Sequence, residues 1–142
     1  MKKQIAIVST ILVVALIGVF AFAACTPSYS SLVKKYEGEG YTVIGGEAEE
    51  AAEAIQSASV IMAVLSLIGL SGDDINPDES TIQYALFAGK GLKNGVLIIS
   101  TNDDSFANGV KEKIADSEDA SKYVKIKGNT VAFGTEDAVA LF

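Results

Sequence analysis

The residues with the clearest potential for chemistry lie in an acidic stretch near the middle of the chain. Asp74, Asn76 and Asp78 alternate there with other residues. Oxygen ligands at every second position are typical of the first half of helix–loop–helix calcium sites. The glycine and glutamate needed at the sixth and twelfth positions are replaced by Glu79 and Ala85. The pattern therefore predicts either a looser cation site or, more simply, a solvated loop.

Other patterns of this kind predict no enzyme site. The adjacent acids Asp103-Asp104 could do acid–base work, but acids before a predicted helix are typical of caps. The glycine-rich segments near residues 45 and 90 lack the remaining positions of the nucleotide-binding fingerprints. We therefore assign no catalytic residue, no cofactor-binding residue and no cofactor.

Two absent residue types narrow the chemistry further. The chain contains no histidine and no tryptophan. This excludes Ser-His-Asp and Cys-His catalysis as well as metal ligation by histidine. An enzyme would have to depend on carboxylates, lysine, tyrosine or a hard cation.

The single cysteine, Cys25, closes an apolar N-terminal segment. Lys2 and Lys3 lead into an almost uninterrupted apolar run from Ile5 to Ala24. A basic start, an apolar middle and small residues at the exit describe an export signal. The position of Cys25 at that exit makes the interpretation more specific.

Phe22-Ala23-Ala24-Cys25 resembles the lipobox of bacterial lipoprotein signals, in which small residues precede a cysteine that becomes lipidated. Phe22 stands where lipoboxes usually have an aliphatic residue. The resemblance implies that residues 1–24 are removed and that the Cys25 thiol carries a diacylglyceryl group. It also implies a lipid-anchored protein on the extracytoplasmic face of the cell membrane. Acyl chains contribute about 0.8 kcal/mol per buried methylene, so two or three make a stable anchor.

Three other interpretations of this segment stay open. Ala21-Phe22-Ala23 fits ordinary signal cleavage, which would release a free secreted protein. The apolar run is also long enough to span a bilayer of about 30 Å as an uncleaved helix. A lone cysteine can also be a small buried hydrophobe. No second cysteine exists, so no intramolecular disulfide can form.

The charge balance limits the partners. The leader holds two of the 11 basic residues and none of the 18 acidic ones, which leaves nine lysines against 18 acids from residue 25 onwards. This excess of acidic over basic residues, together with the absence of arginine from the sequence, argues against nucleic-acid binding. The expected partners are the membrane, through the lipid, and a protein partner that the sequence does not identify.

Any site must be positioned by the elements that follow Cys25. β-Branched and aromatic runs predict strands at 41–44, 81–88, 96–99, 123–127 and 130–133. Apolar residues at helical spacing predict helices at 47–70 and 106–115, with shorter ones at 31–36 and 138–142. The second half of the long helix is apolar nearly all round, which indicates burial on more than one side.

This order predicts an α+β fold. We expect a ferredoxin-like split β-α-β sandwich, with a mostly antiparallel sheet of four or five strands and two main helices on one face. The expected organisation is a signal peptide at 1–24, a lipidated cysteine and tether at 25–31, and a single domain at 32–142.

The sequence favours a membrane-anchored binding or interaction module without catalytic activity. One alternative is an envelope enzyme that depends on carboxylates or on a bound cation. Another is a secreted or uncleaved domain that forms a homo-oligomer through the apolar half of the 47–70 helix. None of these hypotheses identifies the ligand, because superfolds host many functions.

Overall fold

A computed structural model describes residues 27–142 except residues 48 and 92. The predicted signal peptide 1–24 and the predicted lipidation site Cys25 lie outside the described residues. The first helix begins at Tyr29, so the folded structure includes residues that the sequence assigns to the tether. No helix in the described part of the chain combines the length and apolar character needed to cross a membrane.

Five strands form one sheet. They are β1 (Thr42–Gly46), β2 (Ile82–Lys90), β3 (Asn94–Thr101), β4 (Val124–Lys127) and β5 (Thr130–Gly134). The sheet order is β1-β2-β3-β5-β4, and every neighbouring pair is antiparallel. This confirms the predicted α+β class with an antiparallel sheet of five strands.

The helices lie between and around these strands. They are α1 (Tyr29–Gly38), α2 (Glu49–Ser57), α3 (Met62–Leu67), α4 (Ser105–Ile114), α5 (Ala120–Tyr123) and α6 (Glu136–Ala140). Single 3-10 turns occupy Ala58–Ile61, Gly72–Ile75 and Glu79–Thr81.

The sheet is covered on both faces. One face, here called the α2 face, packs Leu97, Ile99 and Phe133 against side chains from α2 to α5. The opposite face, here called the α1 face, packs Leu86 and Ile98 against α1 and α6. As predicted, the two main helical segments, 47–70 and 106–115, pack on one face. The shorter helices α1 and α6 cover the other face, because alternate residues of the central strands are buried on both sides.

The predicted 47–70 helix is divided into two helices. The Ser57 hydroxyl donates to the Glu53 carbonyl at 2.9 Å, where α2 gives way to the 3-10 turn. Serine bonding back to the preceding turn bends helices. At the far end Gly69 has φ +85°, and the Leu70 N–H donates to the Leu65 carbonyl at 3.0 Å. Such a left-handed glycine cap ends a helix and turns the chain back.

This division explains the strand order. A continuous helix lying along β1 would deliver the chain to the opposite end of the sheet and favour a parallel next strand. Instead the chain returns, and Gly46 at the end of β1 pairs with Ala85 near the start of β2. A split β-α-β unit would have another strand between these two. The ferredoxin-like detail of the prediction is therefore not confirmed.

A bulge changes one face assignment in β2. The sequence alternation places Ile82 on the same side as Tyr84 and Leu86. In the structure the register shifts between Ile82 and Tyr84, and Ile82 packs with the core of the α2 face. Tyr84 and Leu86 belong to the α1 face. An extra residue in a strand reverses the direction of the side chains beyond it.

Candidate functional site

A groove of about 470 Å³ lies between α2 and the segment that leads into β2. We call it the α2 groove. It is lined by two carboxylates, two amides and four apolar side chains: Glu49, Glu79, Gln56, Asn76, Ala51, Ala52, Ile55 and Ile82. Ligand pockets commonly have a volume of about 300 to 1,000 Å³ and combine apolar walls with a few polar groups.

The spacing of residues on α2 decides which side chains reach the groove. Ala51 and Ala54 are buried against the sheet. Glu49, Ala52 and Gln56 are three and four residues apart, and all three are exposed along the neighbouring stripe of the helix. Because Ala52 carries only a methyl group, the middle of this wall leaves open space.

The opposite wall belongs to the acidic loop, which is held by polar contacts. The Asp74 carboxylate accepts hydrogen bonds from the Ser71 N–H at 2.8 Å and from the Ser71 hydroxyl at 3.1 Å. Lys113 of α4 pairs with the same carboxylate, whose side chain is only 8% exposed. Ile75 is buried in the core of the α2 face. These contacts fix the loop that presents Asn76 to the groove.

The three residues of the predicted cation site have different surroundings. Asp74 pairs with Lys113, and Asp78 accepts a hydrogen bond from the Ser80 N–H at 3.2 Å within its own loop. Asn76 lines the α2 groove. Among the described residues, no group of three or more histidine, cysteine, aspartate and glutamate side chains is placed to hold a metal ion.

The electrostatic character of the groove is negative. Within the described ranges, the ion pairs are Lys113–Asp74 and Lys122–Asp119, so neither groove carboxylate has a lysine partner there. Glu49 lies in the first turn of α2. A cleft lined by charges of one sign concentrates ions of the opposite sign. The groove is therefore suited to a cationic group beside an apolar one.

Local sequence patterns do not identify most of these lining residues. Glu49 has the pattern of an acidic residue at a helix start, and Glu79 stands out only as a departure from a calcium motif. The sequence does contain one signal for the first wall: Glu49, Ala52 and Gln56 are three and four residues apart and therefore form one stripe of the predicted helix. The opposite wall could not be found in this way, because Ile82 reaches it only through the bulge in β2.

A second polar feature lies on the α1 face, where Tyr84, Ser100 and Thr130 stand side by side on three neighbouring strands. We call them the polar row. The Thr130 hydroxyl donates to the Ser100 hydroxyl oxygen at 3.1 Å. Burial raises the pKa of the Tyr84 hydroxyl, while hydrogen bonds with Thr130 and Ser100 oppose that rise. Within the described residues, no buried side-chain polar atom lacks a hydrogen-bond partner.

The polar row positions the N-terminal end of the described chain. The Tyr84 hydroxyl donates to the Pro27 carbonyl, and the Tyr84 ring meets the Tyr29 ring edge-on at 5.7 Å. The Tyr29 hydroxyl in turn donates to the Gly45 carbonyl at 2.8 Å. Residue 27 is therefore already part of the fold, next to the end of the sheet where β1 ends and β2 begins.

Comparison of the chain with protein-family models, with curated proteins and with solved structures found no match.

Proposed function

We propose that the protein is a lipid-anchored extracytoplasmic binding module whose ligand site is the α2 groove. The observation that carries the proposal is the groove itself, about 470 Å³ with carboxylate, amide and apolar lining. The anchoring part is supported by the lipobox-like Phe22-Ala23-Ala24-Cys25 at the end of the apolar leader.

The position of Pro27 supports a site close to the membrane. Cys25 precedes Pro27 by two residues, which span about 7 Å when extended. Glu49 follows the end of β1, and Ile82 begins β2. Pro27 and this part of the groove thus lie at the same end of the sheet. A lipid on Cys25 would hold that end against the membrane surface.

The anchoring is tested by the intact mass of the mature protein purified from its own membranes. The expected mass is that of residues 25–142 plus a diacylglyceryl group, with or without an amide-linked acyl chain. The Cys25→Ser variant serves as the control and should lose this mass and its membrane association. A full-length mass, or a cleaved chain without lipid, would contradict the anchoring.

The binding role is tested by photo-crosslinking in intact membranes. A photoreactive side chain at Gln56, inside the groove, should form a discrete adduct. The same group at the exposed Glu112 on α4, away from the groove, should not. Equal adducts from both positions, or none from Gln56, would contradict the groove as the ligand site while leaving the anchoring result unaffected.

A further inference from the structure

We propose that the α2 groove accepts a lysine side chain of an extended segment of a partner protein. This inference rests on the proposed binding function and specifies the chemistry of the ligand. Three properties of the groove support it: two carboxylates without a lysine partner in the part of the chain that the structure describes, the apolar lining and the pair of amides.

Charge complementarity selects a cation. Glu49 and Glu79 line the groove, and none of its lining residues is basic. The neighbouring Asp74 is already neutralised by Lys113. An incoming ammonium group would therefore meet carboxylates that have no lysine partner within the described residues.

The apolar lining selects a cation on an aliphatic stem. Ala52, Ile55 and Ile82 provide hydrocarbon surface between the polar groups, and Ile55 and Ile82 are half-buried. A lysine side chain covers such a surface with its methylenes while its ammonium group reaches the carboxylates. A small inorganic cation would leave this surface exposed to water.

The amides select a peptide over a lipid headgroup. Gln56 and Asn76 each offer a donor and an acceptor, which match the N–H and C=O groups of a peptide backbone. An aminophospholipid carries a phosphate close to its ammonium group. That phosphate would be repelled by Glu49 and Glu79, whereas the peptide backbone beside a lysine is neutral.

The test is an NMR titration of the 26–142 chain, since both cores described above are formed within residues 27–142. The probes are the blocked tripeptides Ala-Lys-Ala and Ala-norleucine-Ala. The lysine peptide should shift the amide signals of Ala52, Gln56 and Asn76 saturably. The norleucine peptide should bind about fivefold more weakly, as expected for partly exposed charge pairs.

Two double variants distinguish specific contact of the lysine with Glu49 and Glu79 from general attraction to a negatively charged protein. The variant with Glu49→Gln and Glu79→Gln should bind the lysine peptide about fivefold more weakly than the unsubstituted chain. The variant with Glu112→Gln and Glu118→Gln removes the same charge from exposed positions outside the groove. Its affinity for the lysine peptide should stay within about twofold of the unsubstituted chain. Equal effects of the two variants would overturn the proposal.

Two further outcomes would also overturn it. One is the absence of shifts localised to the groove with either peptide. The other is that the chain binds phosphatidylethanolamine vesicles through Glu49 and Glu79 but does not bind the lysine peptide. This result would assign the groove to a lipid amine. Neither outcome would change the mass of the mature protein or the crosslinking at Gln56, so failure of the lysine assignment is distinguishable from failure of the binding module.

Discussion

On the α1 face, tyrosine hydroxyls donate to backbone carbonyls, whereas the α2 face is packed by aliphatic and aromatic side chains and contains a groove of about 470 Å³. A hydrogen bond to a backbone carbonyl requires a defined distance and angle between donor and acceptor. The tyrosines of the α1 face therefore fix the position of Pro27 and of the start of α1. Aliphatic packing against small alanines requires less exact geometry. The comparison indicates that one face fixes the path of the chain from residue 27 while the other contains an open groove.

The largest expected effect on stability is that of a substitution at Gly134, in strand β5 of the sheet that both faces share. A Cβ at Gly134 would lie 2.2 Å from the Gly95 carbonyl oxygen and 2.7 Å from the Val96 Cα. Gly134→Ala should therefore separate β5 from β3 and lower the free energy of unfolding by about 3 kcal/mol or more. Urea denaturation followed by circular dichroism measures this loss.

Gly109→Ala is the matched control. Gly109 lies in α4, and no atom outside its local helix lies within 4 Å of the added Cβ. The substitution should stabilise the protein by about 0.5 to 1 kcal/mol, because glycine is a poor helix former. Equal effects of the two alanines would show that the close approach of β5 and β3 is not real.

The next effect tests the hydrogen-bonded face. The Tyr36 hydroxyl, fully buried, donates to the Ala138 carbonyl at 2.8 Å and so joins α1 to α6. Tyr36→Phe keeps the ring and removes this donor, so the carbonyl retains only the Leu141 N–H at 3.3 Å. The loss of one buried hydrogen bond should lower the free energy of unfolding by about 0.5 to 1.5 kcal/mol. Tyr123→Phe, on the α2 face, should change it by less than about 0.5 kcal/mol. A smaller loss for Tyr36→Phe than for Tyr123→Phe would reverse the proposed difference between the faces.

The sequence supports some parts of the fold better than others for physical reasons. Strand β3 and the turn at Gly128-Asn129 are predicted because local composition determines them. The break after Ser57 is not, because a serine in a helix has the same local pattern whether or not it bonds back to the preceding turn. Ile82 is placed on the wrong face because a bulge is invisible to alternation.

The candidate site was predictable only in part. The acidic loop does form one wall of the groove, and of its three predicted ligands Asn76 lines that wall. Asp74 instead forms an ion pair with Lys113, which lies 39 residues away in the chain. Such a long-range pairing leaves no trace in local spacing. The hydrogen bond from Tyr84 to Pro27 joins residues that are 57 positions apart in the sequence, and local patterns do not predict it.

The third effect is a pH dependence caused by buried tyrosines of the α1 face. Burial raises the pKa of Tyr36 well above its usual value and also raises that of Tyr84. In the unfolded chain these hydroxyls ionise near pH 10, so above about pH 10 the unfolded state binds fewer protons than the folded one. The free energy of unfolding should then fall with rising pH, by up to about 1.4 kcal/mol per pH unit for each such tyrosine.

Urea denaturation at about pH 9 and about pH 11 measures this loss. Tyr84→Phe should reduce the difference between the two pH values, because the substitution removes one of the ionising groups. A stability that rises between these pH values, or an unchanged difference in the variant, would show that the tyrosines of the α1 face are not responsible.

The smallest expected effect concerns the outer side of α3, where the sequence suggested self-association. In this helix Leu65 is fully buried, whereas Leu67 is 76% exposed. Because Leu67 lies on the outer side, Leu67→Lys should change the free energy of unfolding by less than about 0.5 kcal/mol. Sedimentation velocity of the 26–142 chain tests the remaining possibility. If Leu67 forms a contact between two copies, the unsubstituted chain will sediment as a dimer and Leu67→Lys as a monomer. We expect identical sedimentation, because Ile61 and Ile68 of this segment face the core of the α2 face.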